Sequence, residues 1–207
     1  MKQKLLVIVL LFTQICSAKI AFGQSTIAVK HEILSVDMGQ PGCAISVIDY
    51  FDGHLASRMK MTAGYWTDAP PVQSMLGDFG IRFKCRIGQQ FDDAVQTYGA
   101  QWDEGKRIWK LYDEDASDRK LLSPVSRIYQ LKSPNATGFL RTTDEISGDE
   151  DQRVRFYSFC LFHEKAAVCG EGQSMKLEEP KGNYLPAILC ILRSVEFIEA
   201  PNDGGNG

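Results

Sequence analysis

Residues 153–170 read RVRFYSFCLFHEKAAVCG, and the fold follows from how this stretch is parsed. Residues 153–162 are rich in aromatic and branched side chains, which suit a pleated, half-buried surface. Residues 166–170 have a similar apolar character, and His163-Glu164-Lys165 lies between them. With Glu164-Lys165 as a two-residue turn, the two runs form an antiparallel hairpin in which Phe162 faces Ala167 and Cys160 faces Cys169. Counting outward from the turn makes Cys160 and Cys169 a non-hydrogen-bonded pair, where side chains approach closest. A cross-strand disulfide fits there. Glu-Lys lacks the Gly or Asn that two-residue turns favour, and a longer loop would shift the register. The turn and the bridge therefore stand or fall together.

The same reading extends outward along the chain. Strands are expected at 26–36, 44–51, 81–87, 107–112, 125–131 and 138–142, with a last one through Val195, Phe197 and Ile198. Between them stand turn formers: Met38-Gly39-Gln40-Pro41-Gly42, Asp52-Gly53, Ala69-Pro70-Pro71, Ser123-Pro124, Ser133-Pro134-Asn135 and Ser147-Gly148-Asp149. Two segments favour helix. Phe91, Val95 and Tyr98 recur at helical spacing, with Asp92 and Asp93 near the N-terminal end. Residues 183–193, NYLPAILCILR, place Pro186 where an early helical position tolerates it. The expected class is α+β, a mostly antiparallel sheet with one or two helices packed on a face.

The 207 residues carry 23 Lys+Arg against 26 Asp+Glu, a net charge of −3, with 44% hydrophobic and 24% charged residues. These values suit a globular domain and argue against a disordered chain or a multi-span membrane protein. Without a basic excess, nucleic-acid binding is not expected. At the N-terminus Lys2 and Lys4 precede an unbroken apolar run, LLVIVLLF. That run is too short to cross a bilayer core of ~30 Å at ~1.5 Å per residue, but it fits the core of a signal peptide. Small residues at the −3 and −1 positions allow cleavage after Ala18 or Gly23, and Lys19 just past the first cut favours Gly23. Residues 1–23 are thus read as a signal peptide, 24–199 as one exported domain and 200–207 as a flexible tail. The mature chain keeps 20 basic and 26 acidic residues, a net charge of −6. Periplasmic residence is expected, with no membrane span.

Five cysteines remain after such cleavage, and an odd count leaves at least one thiol unpaired within the chain. Besides the Cys160–Cys169 pair, Cys85 lies on the apolar face of the alternating strand IRFKCRI, at 81–87. Cys190, in another apolar run, can meet it there; a small buried hydrophobe is the other reading of Cys85. On the opposite face of that strand Arg82, Lys84 and Arg86 form a basic stripe, read as a solvated or edge-protecting face. Trp66, Trp102 and Trp109, with Tyr65 and Tyr98, are candidates for core packing or for anchors at an interface rim.

Catalytic motifs are not recognisable. Asp49, Asp52 and His54 read more simply as a hairpin turn than as an acid–base set. The sequence carries no nucleophile elbow, phosphate loop, zinc helix or dinucleotide fingerprint, so neither an enzyme nor a cofactor is expected. Acidic runs at 113–118 and 144–151 fail the calcium-loop test, because Pro124 and Cys160 stand where a bidentate Glu is needed. Asp113, Asp115, Asp149, Glu150 and Asp151 are therefore read as solvated loop carboxylates, with a basic partner surface as the functional alternative. Asn135-Ala136-Thr137 matches a glycosylation acceptor.

The C-terminal quarter, with Cys169-Gly170 and then ILCILRSVEF at 188–197, resembles the closing helix and strand of small exported α+β domains. Among these are the C-terminal domain of immunity proteins against lipase effectors of bacterial type VI secretion and, more distantly, PsbP-like domains. The resemblance implies a periplasmic protein that neutralises a secreted effector by binding it. A domain that encloses a small molecule or lipid between sheet and helix is the second expectation.

Overall fold

The structure, a computed structural model, describes residues 31–88, 95–113 and 115–199. The expected signal peptide, the tail and most of the first expected helix lie outside the described residues; of that helix, residues 95–97 are described and are helical.

Twelve strands are described: β1 (Glu32–Asp37), β2 (Ala44–Asp49), β3 (Gly53–Met59), β4 (Thr62–Thr67), β5 (Phe79–Ile87), β6 (Ala100–Asp103), β7 (Ile108–Leu111), β8 (Ser126–Lys132), β9 (Thr137–Asp144), β10 (Val154–His163), β11 (Ala166–Lys176) and β12 (Glu196–Ile198). Two α-helices are α1 (Ala116–Leu122) and α2 (Leu185–Ser194). The main sheet has the order β3-β4-β5-β11-β10-β9-β8; a three-stranded sheet runs β1-β2-β12, and β6-β7 is a separate hairpin. Every pairing is antiparallel.

The β10–β11 hairpin forms as its sequence suggests. His163 pairs with Ala166, Phe162 with Ala167 and Cys160 with Cys169. The bridge is made, across a Cα–Cα distance of 4.1 Å. Glu164 adopts a left-handed conformation, φ 49°, that its side chain disfavours. The long aromatic and apolar pairing on either side holds it there.

The unbroken apolar run of β10 has a reason: its strand is covered on both faces. Tyr157, Phe159 and Leu161 enter one core with Phe83 of β5, Ile45 of β2 and Ile188 and Ile191 of α2. Cys160 and Phe162 enter a second core with Val95, Tyr98, Ala100, Trp109 and Phe139. One face of the sheet thus carries α2 and the three-stranded sheet, and the other carries the β6–β7 hairpin. α1, which was not expected, buries no residue, whereas α2 packs on a face as expected. Pro186 lies within its first turn, where it displaces no helical hydrogen bond.

Two side-chain amides tie the smaller elements to the β8–β9 end of the sheet. Gln130 Oε1 accepts from Trp109 N–H at 2.8 Å while its Nε2 donates to Trp109 O at 2.9 Å. Asn135 Nδ2 donates to Phe197 O at 2.7 Å, and its Oδ1 accepts from Phe197 N–H at 3.0 Å. Each amide imitates a strand neighbour by offering one donor and one acceptor to the same residue. His163 stacks on Phe197 at 5.2 Å beside the second clamp.

One expected bridge is corrected. Cys85 pairs with Cys43, across a Cα–Cα distance of 5.8 Å, and not with Cys190. The turn at 38–42 returns the chain so that Cys43, just before β2, faces β5 directly; Met61 O, which accepts from Cys85 N–H, and Met38 O, which accepts from Met61 N–H, fix this approach. Cys190 is buried on α2 and takes no part in that bridge. No cysteine among the described residues is free.

Candidate functional site

β5 alternates strictly: Phe79, Ile81, Phe83 and Cys85 are buried, whereas Gly80, Arg82 and Lys84 are exposed. Its ladder to β11 is short, running from Ala166↔Ile87 only to Cys169↔Lys84. Beyond that point β5 stays with β4 as far as Thr67↔Phe79, and β11 stays with β10 as far as Val154↔Lys176. The sheet therefore divides into two wings, β3-β4-β5 and β11-β10-β9-β8. Between them lies a groove of about 1960 Å³.

The point of division is crowded. A Cβ on Gly170 would stand 2.0 Å from Arg82 O and 2.7 Å from the Phe159 ring, so only glycine fits where the wings begin to separate. One wall of the groove is formed by Arg58, Trp66, Gly80 and Arg82; the other is formed by Phe156, Glu171 and Gln173. The Arg58 guanidinium lies over the Trp66 ring at 5.6 Å, and the His54 ring lies 5.5 Å from the same indole. Such a pairing orders the indole and holds the cation over its face. Phe156 is 41% exposed, an unusual state for a strand phenylalanine. Among the described residues Arg58, Arg82 and Lys84 form no ion pair with a carboxylate. The buried Tyr157 reaches the groove from the core side, and burial raises its hydroxyl pKa, so it stays neutral.

The groove is polarised along β5. Arg82 and Lys84 sit at the end where the ladder stops, and Asp68 and Asp78 flank the end at Thr67↔Phe79. His54 Nε2 lies 3.5 Å from Asp68 Oδ2. On the far side Arg141 of β9 donates to Asp113 Oδ1 at 2.8 Å, to Tyr112 O at 3.0 Å and to Gly99 O at 3.2 Å. This hub ties the segments around β6–β7 to the main sheet. Gly99, at φ 72°, lets the guanidinium approach, since a Cβ there would overlap it.

The acidic residues singled out in the sequence do not gather. Asp113 is buried against Arg141, not solvated, and serves as part of the hub. Asp115 is the N-cap of α1; its Oδ1 accepts from Ser117 N–H and Oγ–H, both at 2.7 Å, and this hydroxyl bond holds the carboxyl below its ordinary pKa. Asp149, Glu150 and Asp151 lie together on an exposed turn. Arg153 Nη2 donates to Gly148 O, and Lys176 Nζ donates to Gln152 O, giving that turn a fixed base. Asp49 is buried and structural: it accepts from Tyr65 O–H at 2.7 Å and from Phe51 and Gly53 N–H. Of the residues singled out in the sequence, Tyr65, Trp66, Arg82, Lys84, Tyr98 and the acidic candidate Asp113 line the groove, whereas Asp115, Asp149, Glu150 and Asp151 do not.

Among the described residues no three His, Cys, Asp or Glu side chains are arranged to hold a metal, and no helix is long and apolar enough to cross a membrane. The chain matches no protein-family model, no curated protein and no solved structure.

Proposed function

We propose that the chain is a non-catalytic binding protein of the periplasm, an immunity protein that binds and neutralises a secreted antibacterial effector. The observation that carries this reading is the open groove between the two sheet wings. It presents an ordered indole, an exposed phenylalanine and cations without ion-pair partners, the mixture of aromatic and Arg anchors that binding surfaces use. Two bridges among the described residues, Cys43–Cys85 and Cys160–Cys169, suit an oxidising compartment. Phe83, Phe159 and Ile191 are fully buried between the sheet and α2.

The test is capture of partners by the tagged mature protein from the envelope and secreted fractions of its own organism. A stoichiometric secreted protein whose toxic activity falls on binding supports the reading. A co-purifying lipid with no protein partner replaces it with the ligand-binding alternative. The acidic turn supplies a kinetic check: reversing Asp149, Glu150 and Asp151 together to Lys is expected to slow association roughly tenfold at low salt if the turn faces a basic partner surface. Unchanged association would remove the turn from the interface.

A further inference from the structure

The groove has a feature that ordinary clefts lack: both of its walls carry strand edges whose ladder has stopped. Cys85 N–H bonds to Met61 on the β4 side, so alternation directs the backbone groups of Lys84, Arg82 and Gly80 toward β11. Lys84 is matched by Cys169, the last pair of the ladder. Among the described residues, Arg82 and Gly80 on β5, and Glu171 and Gln173 on β11, continue past it with ladder partners on β4 and β10 but none across the β5–β11 gap. Exposed strand-edge groups of this kind are a template for pairing with another chain.

We infer that the groove takes an extended segment of the partner protein, which adds as a strand along the free stretch of β5 and sets acidic side chains against Arg82 and Lys84. This deepens the binding-protein reading and rests on it. The free stretch, from Phe79 to Ile81, just short of the Arg82 carbonyl that abuts Gly170, spans roughly 10 Å, enough for about three residues of extended chain. Gly80 and Gly64 on the open face carry no side chain to block an incoming strand. Main-chain bonds in this mode supply affinity, and side chains at every second position supply choice. The choice here is electrostatic. Arg82 and Lys84 point to one face of the groove near its closed end, with Arg58 beside Trp66 on the same face, while Glu171 is the single acidic side chain on the facing strand past the ladder. Asp68 and Asp78 at the other end disfavour a segment that is acidic throughout. The occupant is therefore polarised, with its carboxylates toward the Lys84 end.

The test uses a fluorescently labelled, end-blocked peptide of about seven residues, with Glu alternating with Val in its first half and Thr with Val in its second, titrated into the mature protein. Saturable binding is expected. It should weaken at least about tenfold in the Arg82→Glu/Lys84→Glu variant and to a similar degree when alternate peptide nitrogens are methylated, which removes main-chain donors. The milder Arg82→Gln/Lys84→Gln pair serves if charge reversal disturbs folding. Absence of binding, equal binding of a peptide with Lys in place of Glu, or indifference to N-methylation overturns the inference. Partner capture with wild type and variant separates the two proposals. A partner retained equally by the variant overturns the groove assignment and leaves the immunity reading standing. Peptide binding with no partner captured by either protein does the reverse.

Discussion

At the scale of single residues, stability is concentrated in a few polar side chains that take the place of backbone. Asn135 is the clearest. Its amide satisfies both the N–H and the C=O of Phe197, and this is what attaches β12 to the end of the main sheet. The same residue begins a glycosylation acceptor sequence; a glycan on its nitrogen would leave one N–H for Phe197 O. Asn135→Ala leaves two backbone groups of a part-buried strand without partners and is expected to cost about 1–3 kcal/mol. Asn135→Asp keeps the acceptor but sets a carboxylate against a carbonyl, so it should be no better. Urea unfolding of the two variants checks this; a loss below that of an ordinary surface substitution would show that β12 is held by packing alone. Gln130 repeats the device on Trp109, on the opposite face of the sheet.

At the scale of elements, close backbone approach at two glycines shapes the sheet. A Cβ at Gly138 would lie 1.9 Å from Cys160 O, and one at Gly170 would lie 2.0 Å from Arg82 O. Neither clash can be relieved by turning a side chain, because the obstacle is backbone. Gly170→Ala and Gly138→Ala are each expected to cost about 2–3 kcal/mol through overpacking. Gly64→Ala, whose added carbon would meet nothing nearer than 3.9 Å, should change stability by less than about 0.5 kcal/mol. Thermal melts of the three variants rank them, and equal effects would refute the argument. The β3–β4 hairpin was not apparent from the sequence for a related reason. β3, with GHLASRM, is mostly exposed and poor in strand formers, and β4 contains a glycine, so no alternation of apolar residues announces them. Pairing to β5 makes them strands. β6 is likewise short, and it exists through its partner β7 and through Trp109, which stacks on Phe162 and meets Trp102 at a tilt.

At the scale of the molecule, the two bridges do different work. Cys160–Cys169 closes a separation of 9 residues within a hairpin that already pairs along its length. Cys43–Cys85 closes a separation of 42 and joins the three-stranded sheet to the main sheet. Loop-closure entropy alone assigns about 2.5 kcal/mol to the first and about 4 kcal/mol to the second. The Cys43→Ala/Cys85→Ala pair should therefore lower the urea midpoint more than Cys160→Ala/Cys169→Ala. The opposite order would mean that tension or packing in the hairpin outweighs chain entropy. The second bridge also sits beside the point where β5 and β11 stop pairing, so its loss should loosen the groove as well as the core.

How far the sequence reaches depends on how far apart the interacting residues are. The sequence by itself indicated the β10–β11 hairpin and, once Glu164-Lys165 is taken as the turn, its register and disulfide, because a turn fixes everything that follows by counting in twos. It also determined the α2 segment, through Pro186 and the apolar turns behind it, and the two faces of β5, through strict alternation. Tertiary structure alone decided that Cys85 meets Cys43, that Asp113 is buried against Arg141 and that β10 serves two cores. It also decided that Arg82 and Lys84 of the basic stripe line a groove, while Arg86 lies over the Tyr98 ring. Each of these depends on which distant strand lies alongside, a choice made by burial and chain closure over tens of residues, and no local pattern records it.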